Sequence, residues 1–515
     1  MNGFKDLKLS TKYIIIVLFV VHLLPIWIFK FIPTQDGINH VYNAYVLKDY
    51  HKPENYKLQE VFKLNLKFFP NWTSHAFMAL LMYIFPPLIC EKILLSLCII
   101  LLPISLFYFL DAVDKGKVTF GLLGFIYAYG FPLHMGFYNF VLSMSLFFLT
   151  LGYWWKNKDA MRLINVLILY MLLLWTYLCH YLSYFLVVLS LSFFTIFLCI
   201  CSKKLKPFLL FFMLPAYFIM LSYYLDSIRG YARGYKDFDE LVQYFFNMGS
   251  IISFPGDHLL IGRILLCFFI VVFLLALWYR IKEIYKLCWG TESSHINLAA
   301  RRKQLWTKII NGKEQFLLIA VILTVIYFKA PWQIGSGGWW INERIHIYIF
   351  LVLLPFLNVD FHKHIRGAIT VIIITLSFWF LSSNVYTYYY LNKDIAEMTS
   401  SASMLKEHST FTVYPDEWGG ESDYLGEMEY VNPFLHLPSY FCLKKDVVYL
   451  QNYEALFNYF PINFKDKRHY FSKEADYLLV WWPEYGGVEV LEDNYVLVHS
   501  GKYNQLYRRK KTPQL

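Results

Sequence analysis

The stretch Ile32–His40, IPTQDGINH, follows directly on an apolar run and guides the interpretation of the whole chain. The run covers residues 13–32, and about twenty apolar residues in a helix can cross the roughly 30 Å of hydrocarbon in a bilayer. A membrane anchor by itself needs neither Asp36 nor His40 at its end. The stretch therefore predicts a membrane span whose outer end carries polar chemistry.

The composition of the whole chain agrees with a membrane protein. The 515 residues are 57% hydrophobic and 16% charged, whereas soluble domains usually carry about a quarter charged residues. Apolar runs recur along the first 385 residues, which predicts an α-helical polytopic membrane protein with about eleven transmembrane helices. The predicted spans are 13–32, 89–110, 118–133, 137–155, 163–178, 181–201, 207–226, 260–279, 315–330, 345–358 and 366–384.

Charge predicts the orientation of the chain in the membrane. The formal net charge is +10, and cytoplasmic loops of membrane proteins collect Lys and Arg. The apolar segment 75–88 is short and contains Pro86 and Pro87, which cannot continue a helix. If this segment lies in the interface or is re-entrant, every basic connection falls inside. We therefore predict an integral multi-pass membrane protein with a cytoplasmic N-terminus, an outer C-terminus and a long first outer loop, 33–88; the resemblance described below implies the bacterial inner membrane.

Several functional classes are disfavoured by the sequence. No basic stripe with interleaved aromatic residues is present, so nucleic acid is not an expected partner. The eight cysteines include no CxxC pair, which disfavours a disulfide framework or a zinc knuckle. No nucleotide-binding, nucleophile-elbow or HExxH motif occurs. The expected partners are instead the lipid bilayer and molecules at its outer surface.

The composition changes after about residue 385. β-branched and aromatic residues alternate or cluster in three segments, which predicts strands at 409–418, 445–452 and 475–482. A hairpin is predicted at 495–509. A helix is predicted at about 391–407. The chain thus divides into a transmembrane domain, 1–385, and a small extracytoplasmic α/β domain, 386–515.

Asp36 and His40 are the first candidate site residues. If the chain is helical here, their four-residue spacing places both side chains on one face. They could then hold a divalent metal, Mg or Mn, or act as a catalytic base and its partner. The alternative is that Asp36 only caps the helix that continues to about residue 50.

Further polar residues fall in the predicted outer loops. His75 in NWTSH either completes a metal or phosphate site or anchors the segment at the interface. His134, Asn139 and His180 lie at the outer mouths of predicted spans, where ionisable residues are costly and usually face a cavity or a partner. We predict substrate binding for these four residues; the alternative for His134, Asn139 and His180 is a satisfied residue inside the helix bundle.

The loop GSGGWWINERIHIY, residues 335–348, combines glycines, tryptophans and charges. Trp340 suits stacking on a sugar ring or a position in the membrane interface. Arg344 offers a planar fork of donors that suits phosphate. The alternative is that Glu343 and Arg344 pair and extend to the interface. We predict that Trp340, Glu343 and Arg344 bind substrate.

The arrangement of segments resembles the GT-C superfamily of membrane glycosyltransferases. The matching pieces are DGINH, PNWTSHAFMALLMYIFPPLICEKILL, HMGFYNFVLSMSLFFL, WINERIHIY and ADYLLVWW…YNQLYRR. The resemblance implies an inverting transfer from a polyprenyl-phosphate-linked sugar donor to a saccharide, lipid or protein acceptor of the cell envelope, with Asp36 as general base or metal ligand. Many members carry a second acid beside the first, but this chain has Gly37 there.

Two other functions remain open from the sequence. A transporter or flippase of lipid-linked saccharides would place its site near the membrane midplane and commonly shows repeats, whereas the polar residues here cluster at one end of the predicted spans. A non-catalytic assembly factor would use the outer domain to bind partners, and no single site residue would then be indispensable.

Overall fold

The computed structural model is mostly helical and ends in a region of mixed β-sheet. It describes residues 9–202, 213–289, 312–335, 337–414, 421–422, 424–443, 446–472, 474–481 and 494–510.

The helices alternate between long apolar segments and short connecting ones. In chain order the α-helices are α1 (Leu9–Ile28), α2 (Gly37–Asp49), α3 (Tyr56–Val61), α4 (Thr73–Leu81), α5 (Pro87–Val113), α6 (Gly124–Ala128), α7 (Phe131–His134), α8 (Tyr138–Asn157), α9 (Leu163–Cys179), α10 (Tyr181–Ser202), α11 (Leu214–Ser227), α12 (Phe238–Phe246), α13 (His258–Trp289), α14 (Glu314–Lys329), α15 (Ile341–Leu357) and α16 (Lys363–Met398).

Among the described residues, four helical segments are long and apolar enough to cross a membrane. They are Pro87–Val113, Tyr181–Cys199, His258–Tyr285 and Lys363–Met404. Two shorter apolar helices, Lys12–Ile28 and Leu163–Cys179, accompany them. This supports a multi-pass membrane protein, and the total of eleven spans stays a prediction. The predicted span 207–226 begins outside the described residues.

The predicted uninterrupted span 118–133 is wrong. A 3₁₀ helix, Thr119–Leu123, is followed by the short helices α6 and α7. Glycine and proline interrupt the apolar run, because Gly130 precedes Pro132 and the backbone turns there. Gly124 also permits close packing: a Cβ at this position would lie 2.6 Å from the Pro103 Cα. Apolar length alone therefore overestimated this span.

The helix α16 crosses the predicted domain boundary at 385 and includes residues 391–398 of the separate helix predicted at 391–407. No glycine or proline occurs between Ala368 and Met398, so nothing in the sequence ends the helix at the membrane surface. The helix ends at Met398, and a 3₁₀ turn, Ser400–Met404, leads into the first strand of the sheet.

Strands form within each of the predicted segments 409–418, 445–452, 475–482 and 495–509, of which residues 415–418, 445 and 482 lie outside the described part of the chain. The strands are β1 (Phe62–Leu64), β2 (Arg233–Gly234), β3 (Gln333–Ile334), β4 (Ser409–Tyr414), β5 (Glu421–Ser422), β6 (Gly426–Glu427), β7 (Val447–Tyr449), β8 (Ile462–Phe464), β9 (Tyr477–Trp481), β10 (Tyr495–Ser500) and β11 (Asn504–Arg509). The main sheet has the order β10–β11–β9–β4–β7. Strand β4 runs parallel to both neighbours, and the other pairs are antiparallel, so the sheet is mixed.

The first outer loop packs against the C-terminal region. Strand β1 of the loop pairs antiparallel with β8, with Phe62 opposite Phe464. The buried Asp446 carboxylate accepts hydrogen bonds from the backbone N–H groups of Lys57 at 3.1 Å and Leu58 at 3.0 Å. These are free N–H groups of the first turn of α3, which have no partner within the helix. Asp446 therefore ties loop 33–88 to the C-terminal sheet.

Replacing Asp446 with alanine is expected to loosen this contact. The Asp446→Ala variant leaves two N–H groups of α3 without an acceptor, and each lost buried partner costs about 1–3 kcal/mol. Faster limited proteolysis within residues 50–70 and a lower thermal midpoint would show the effect. Asp466→Ala is the matched control, because Asp466 also caps a short helix but interacts with the exposed Arg468. Equal behaviour of the two variants would contradict the prediction.

Candidate functional site

The segment after the first apolar helix is held by backbone contacts from a distant loop. The Gln35 N–H donates to the His134 carbonyl at 2.8 Å, and the Asp36 N–H donates to the Met135 carbonyl at 3.1 Å. These bonds position the start of α2 against the loop between α7 and α8. The position of Asp36 is thus fixed by residues about one hundred positions later in the chain.

Two glycines allow this close approach. A Cβ at Gly37 would lie 1.9 Å from the Tyr138 hydroxyl and 2.2 Å from Thr34 Oγ1. Gly136 has φ +80°, and a Cβ there would lie 2.4 Å from the Gly37 nitrogen. No second acid can occupy position 37 without displacing Tyr138. The glycine beside Asp36 is therefore a packing requirement of this fold.

Asp36 stands at the N-cap position of α2, but its side chain makes no capping hydrogen bond. Its carboxylate instead interacts with Tyr453, which donates a hydrogen bond, with Gln35 Nε2 at 3.4 Å and with His436 Nε2 at 3.5 Å. Burial raises the pKa of Asp36 to about 6, while His40 and the hydrogen bonds partly oppose the rise. The capping alternative does not describe this side chain.

His40 and His75 meet at a buried carboxylate that the sequence did not indicate. His40 Nδ1 lies 2.7 Å from Glu454 Oε1, and His75 Nε2 lies 2.8 Å from Glu454 Oε2. The ligand atoms of the three residues all lie within 4.8 Å of one another, so the group could hold a metal ion. Asp36, which was paired with His40 as a possible metal ligand, is outside this group.

The charge of Glu454 is stabilised by its neighbours. The side chain is fully buried, and burial alone would disfavour the carboxylate. The charges of His40 and His75 and their contacts outweigh burial and hold the pKa of Glu454 far below its usual range. The same interaction raises the pKa of His40 against the opposing effect of burial. Asn39 Nδ2 also donates to Glu454 Oε1 at 3.1 Å.

Asn139 positions His75 from the side opposite Glu454. The Asn139 Oδ1 accepts from the Ser74 N–H at 2.7 Å, and its Nδ2 donates to the Asn71 carbonyl at 3.0 Å. The same Asn71 carbonyl accepts from His75 Nδ1 at 3.2 Å. Asn139, predicted to bind substrate, thus makes protein contacts that orient the first turn of α4. His75 is completely buried, which differs from an interfacial anchor.

Arg344 and Glu343 point to different partners. Glu343 pairs with Lys236 Nζ at 3.1 Å and accepts from Trp332 Nε1 at 3.1 Å. Arg344 lies over the Phe137 ring at 4.1 Å from its centroid and donates to the Trp339 carbonyl at 2.8 Å. The charge of Glu343 and, to a smaller extent, that of Asp36 favour the charged form of Arg344 against its burial.

Partly exposed aromatic residues surround this pair of charges. Tyr459 interacts electrostatically with both Asp36 and Arg344, and its hydroxyl donates to the Gly337 carbonyl at 2.9 Å. In the same loop, Trp339 is 44% exposed. Trp340 has φ +65° at the start of α15 and packs against Phe131 and Trp332. The loop 335–340 and the C-terminal region thus meet next to Asp36.

The two remaining histidines have different environments. His134 uses both ring nitrogens inside the protein, with Ser253 Oγ at 2.8 Å and the Tyr388 hydroxyl at 2.9 Å, which agrees with a satisfied bundle residue. His180 packs against Phe140 and interacts electrostatically with Arg344. Its buried Nδ1 has no hydrogen-bond partner in the described part of the chain.

The site residues missed from the sequence are Glu454, Tyr453, His436 and Lys236. The first two lie in a 3₁₀ helix, Tyr453–Leu456, just beyond the predicted strand 445–452. The one available signal is a lone acid within the aromatic segment NYEALFNYF, residues 452–460. A carboxylate in such an apolar setting requires a charged or hydrogen-bonding partner.

Comparison with known proteins assigns no family. Neither a scan against models of known protein families nor a search of curated proteins finds a match to this chain. The functional argument therefore depends on the geometry of the site and on the resemblance described above.

The raised pKa of Asp36 predicts a pH-dependent cost to stability. Burial favours the neutral carboxyl, so its contribution to stability is present below about pH 4 and is lost as the pH rises through about 6. Asn mimics the neutral form, so Asp36→Asn should raise the thermal midpoint at pH 8 but not at pH 4. The shift of about two pKa units corresponds to at most roughly 3 kcal/mol. Asp239→Asn, on the exposed start of α12, is the control; a gain that is the same at both pH values would contradict the assignment.

Proposed function

We propose that the chain is a membrane glycosyltransferase that transfers a sugar from a polyprenyl-phosphate donor to a cell-surface acceptor on the outer face of the membrane. The observation that carries the proposal is the proximity of Asp36 and Arg344, whose charges interact although the residues lie near opposite ends of the membrane part. Asp36 offers a base and Arg344 offers a cation, and partly exposed aromatic residues lie beside them. This is the pair of groups that glycosyl transfer from a lipid phosphate needs.

Asp36 is the proposed general base. The acceptor hydroxyl must lose its proton as its oxygen attacks the anomeric carbon, and a carboxylate within hydrogen-bond reach takes up that proton. A pKa near 6 leaves Asp36 mostly deprotonated at neutral pH and makes it a stronger base than an exposed aspartate. Tyr453 and His436 hold the carboxylate in place from the C-terminal region.

Arg344 is the proposed stabiliser of the leaving group. As the bond between the anomeric carbon and the phosphate oxygen breaks, the electron pair stays on the phosphate, and negative charge grows there. A guanidinium provides several donors in a fixed plane for such a group. Arg344 Nε is buried and has no hydrogen-bond partner among the described residues, so a donor remains for a ligand.

The proposal assigns no step to a metal. Mg²⁺ prefers an octahedral shell of oxygen ligands, whereas the group His40, His75 and Glu454 supplies two nitrogen donors and one carboxylate. The predicted Mg thus fits this group poorly, and Mn fits it less poorly because it accepts nitrogen donors more readily. Asp36 and Arg344 act without either ion in the mechanism given above.

The alternatives receive less support. A transporter of lipid-linked saccharides would place its polar residues near the midplane on broken helices, whereas Asp36, Arg344 and Glu454 lie where the first outer loop meets the C-terminal region. A non-catalytic assembly factor does not require a buried aspartate with a raised pKa, which costs stability. The assembly-factor alternative predicts that Asp36 can be replaced without loss of function.

The Asp36→Asn and Arg344→Ala variants should each abolish sugar transfer while the protein still folds and inserts. The full chain in nanodiscs is incubated with a panel of polyprenyl-phosphate sugars, and release of polyprenyl phosphate is measured. Loss of the base or of the leaving-group cation is expected to lower the rate by at least about 10²-fold, in line with general-base and electrostatic contributions.

Matched controls separate loss of chemistry from loss of structure. Asp239→Asn and Arg468→Ala remove the same chemical groups from exposed positions and should keep wild-type activity. Sugar transfer that is retained in both Asp36→Asn and Arg344→Ala would contradict the proposed mechanism. A loss of activity in Asp36→Asn together with a thermal midpoint that is not lowered would support it.

A further inference from the structure

The group of His40, His75 and Glu454 has the properties of a metal centre. Each residue comes from a different segment: His40 from α2, His75 from α4 and Glu454 from the C-terminal 3₁₀ helix. All three side chains are buried, and their ligand atoms lie within 4.8 Å of one another. Such a convergence of two imidazoles and a carboxylate from segments far apart in sequence needs a physical reason.

The proton positions on the two imidazoles favour a cation between them and the carboxylate. The Asn71 carbonyl can only accept, so the bond at 3.2 Å places the proton of His75 on Nδ1. In the neutral ring, Nε2 then directs a lone pair at Glu454 Oε2, 2.8 Å away. Two acceptors cannot face each other at this distance without a proton or a metal ion between them.

His40 shows the same arrangement. The Gly136 carbonyl accepts a hydrogen bond from the His40 ring, and Nδ1 has no aligned hydrogen-bond partner although it lies 2.7 Å from Glu454 Oε1. The bond to Gly136 therefore uses Nε2, and Nδ1 faces the carboxylate. Imidazoles that ligate metals characteristically donate their other N–H to a backbone carbonyl or a carboxylate. Both histidines of this group follow that pattern.

We propose that His40, His75 and Glu454 bind a transition-metal ion of the zinc type, which clamps the first outer loop to the C-terminal region. Two histidines and one glutamate form a known zinc ligand set that leaves a fourth position open. Asn39, which donates to Glu454 Oε1, orients the carboxylate, and Asn139 orients His75 through Asn71.

The clamp has a defined structural effect. His40 lies one helical turn after Asp36, so a metal that fixes His40 also fixes the start of α2. The site does not depend on glycosyl transfer, because its binding and its effect on folding are measured without any sugar donor. Metal binding at this group can therefore be confirmed or contradicted independently of glycosyl transfer.

Metal binding to the full chain is the direct test. The protein in nanodiscs is treated with a chelator, and Zn²⁺, Co²⁺ and Mg²⁺ are then titrated in separate samples. We expect one Zn²⁺ per chain by elemental analysis, a visible absorption band with Co²⁺ and no comparable binding of Mg²⁺. Zn²⁺ should raise the thermal midpoint and slow proteolysis of loop 33–88, because a ligand that binds only the folded state stabilises it.

Variants locate the ion. His75→Gln and Glu454→Gln should each weaken Zn²⁺ binding at least 100-fold and remove the Co²⁺ band, whereas His51→Gln, at an exposed position in the same loop, should change neither. If a variant does not fold, the wild-type titration alone decides the question. Wild-type protein that binds no Zn²⁺, or whose midpoint changes with pH but not with Zn²⁺, would overturn the proposal and show that the group holds protons only.

Discussion

The structure of the candidate site depends on the burial of one carboxylate, Glu454, between two histidines. A lone buried carboxylate is very costly, and removing one partner of a buried ion pair typically costs about 3–5 kcal/mol. The C-terminal region therefore cannot separate from the outer loop without exposing Glu454 or leaving it unpaired. Asn39 and Asn43, which both bond to Asn452, extend this polar contact. The two regions consequently act as one unit around Asp36.

This contact also determines the properties of Asp36. Docking of the C-terminal region places Tyr453 and His436 over the carboxylate and removes it from water, which raises its pKa. Near this carboxylate, Tyr459, Trp339 and Arg344 are not fully buried. A base of increased strength is thus placed next to a cation and aromatic surfaces, and the stability lost at Asp36 is offset by the contacts of Glu454. At functional sites, the free-energy cost of one destabilised group is commonly offset by stabilising contacts of the surrounding residues.

The sequence predicted the local features of the fold but not the contacts that assemble the site. Strands 409–414 and 477–481 and the hairpin 495–509 follow from alternation and turn residues, and a helix from Asp36 to about residue 50 was expected under the capping alternative. The span 118–133 was wrong because glycines and a proline outweigh apolar composition. Glu454 was missed because it lies 379 positions after His75, and no local pattern encodes a pairing over that distance. Asp36 and Arg344 were singled out by chemistry, and their proximity is a tertiary property.

The glycine at position 37 links the packing of the site to its chemistry. Members of the resembled superfamily often place a second acid beside the first, but here Tyr138 and Gly136 occupy that space. The second carboxylate of the site comes instead from Glu454, which contacts His40 one turn after Asp36 and lies in a different region of the chain. Because Glu454 is already paired with His40 and His75, it does not compete with Asp36 for a proton near neutral pH. This arrangement is consistent with Asp36 as a group for proton transfer and Glu454 as a group that holds segment 33–88 against the C-terminal region.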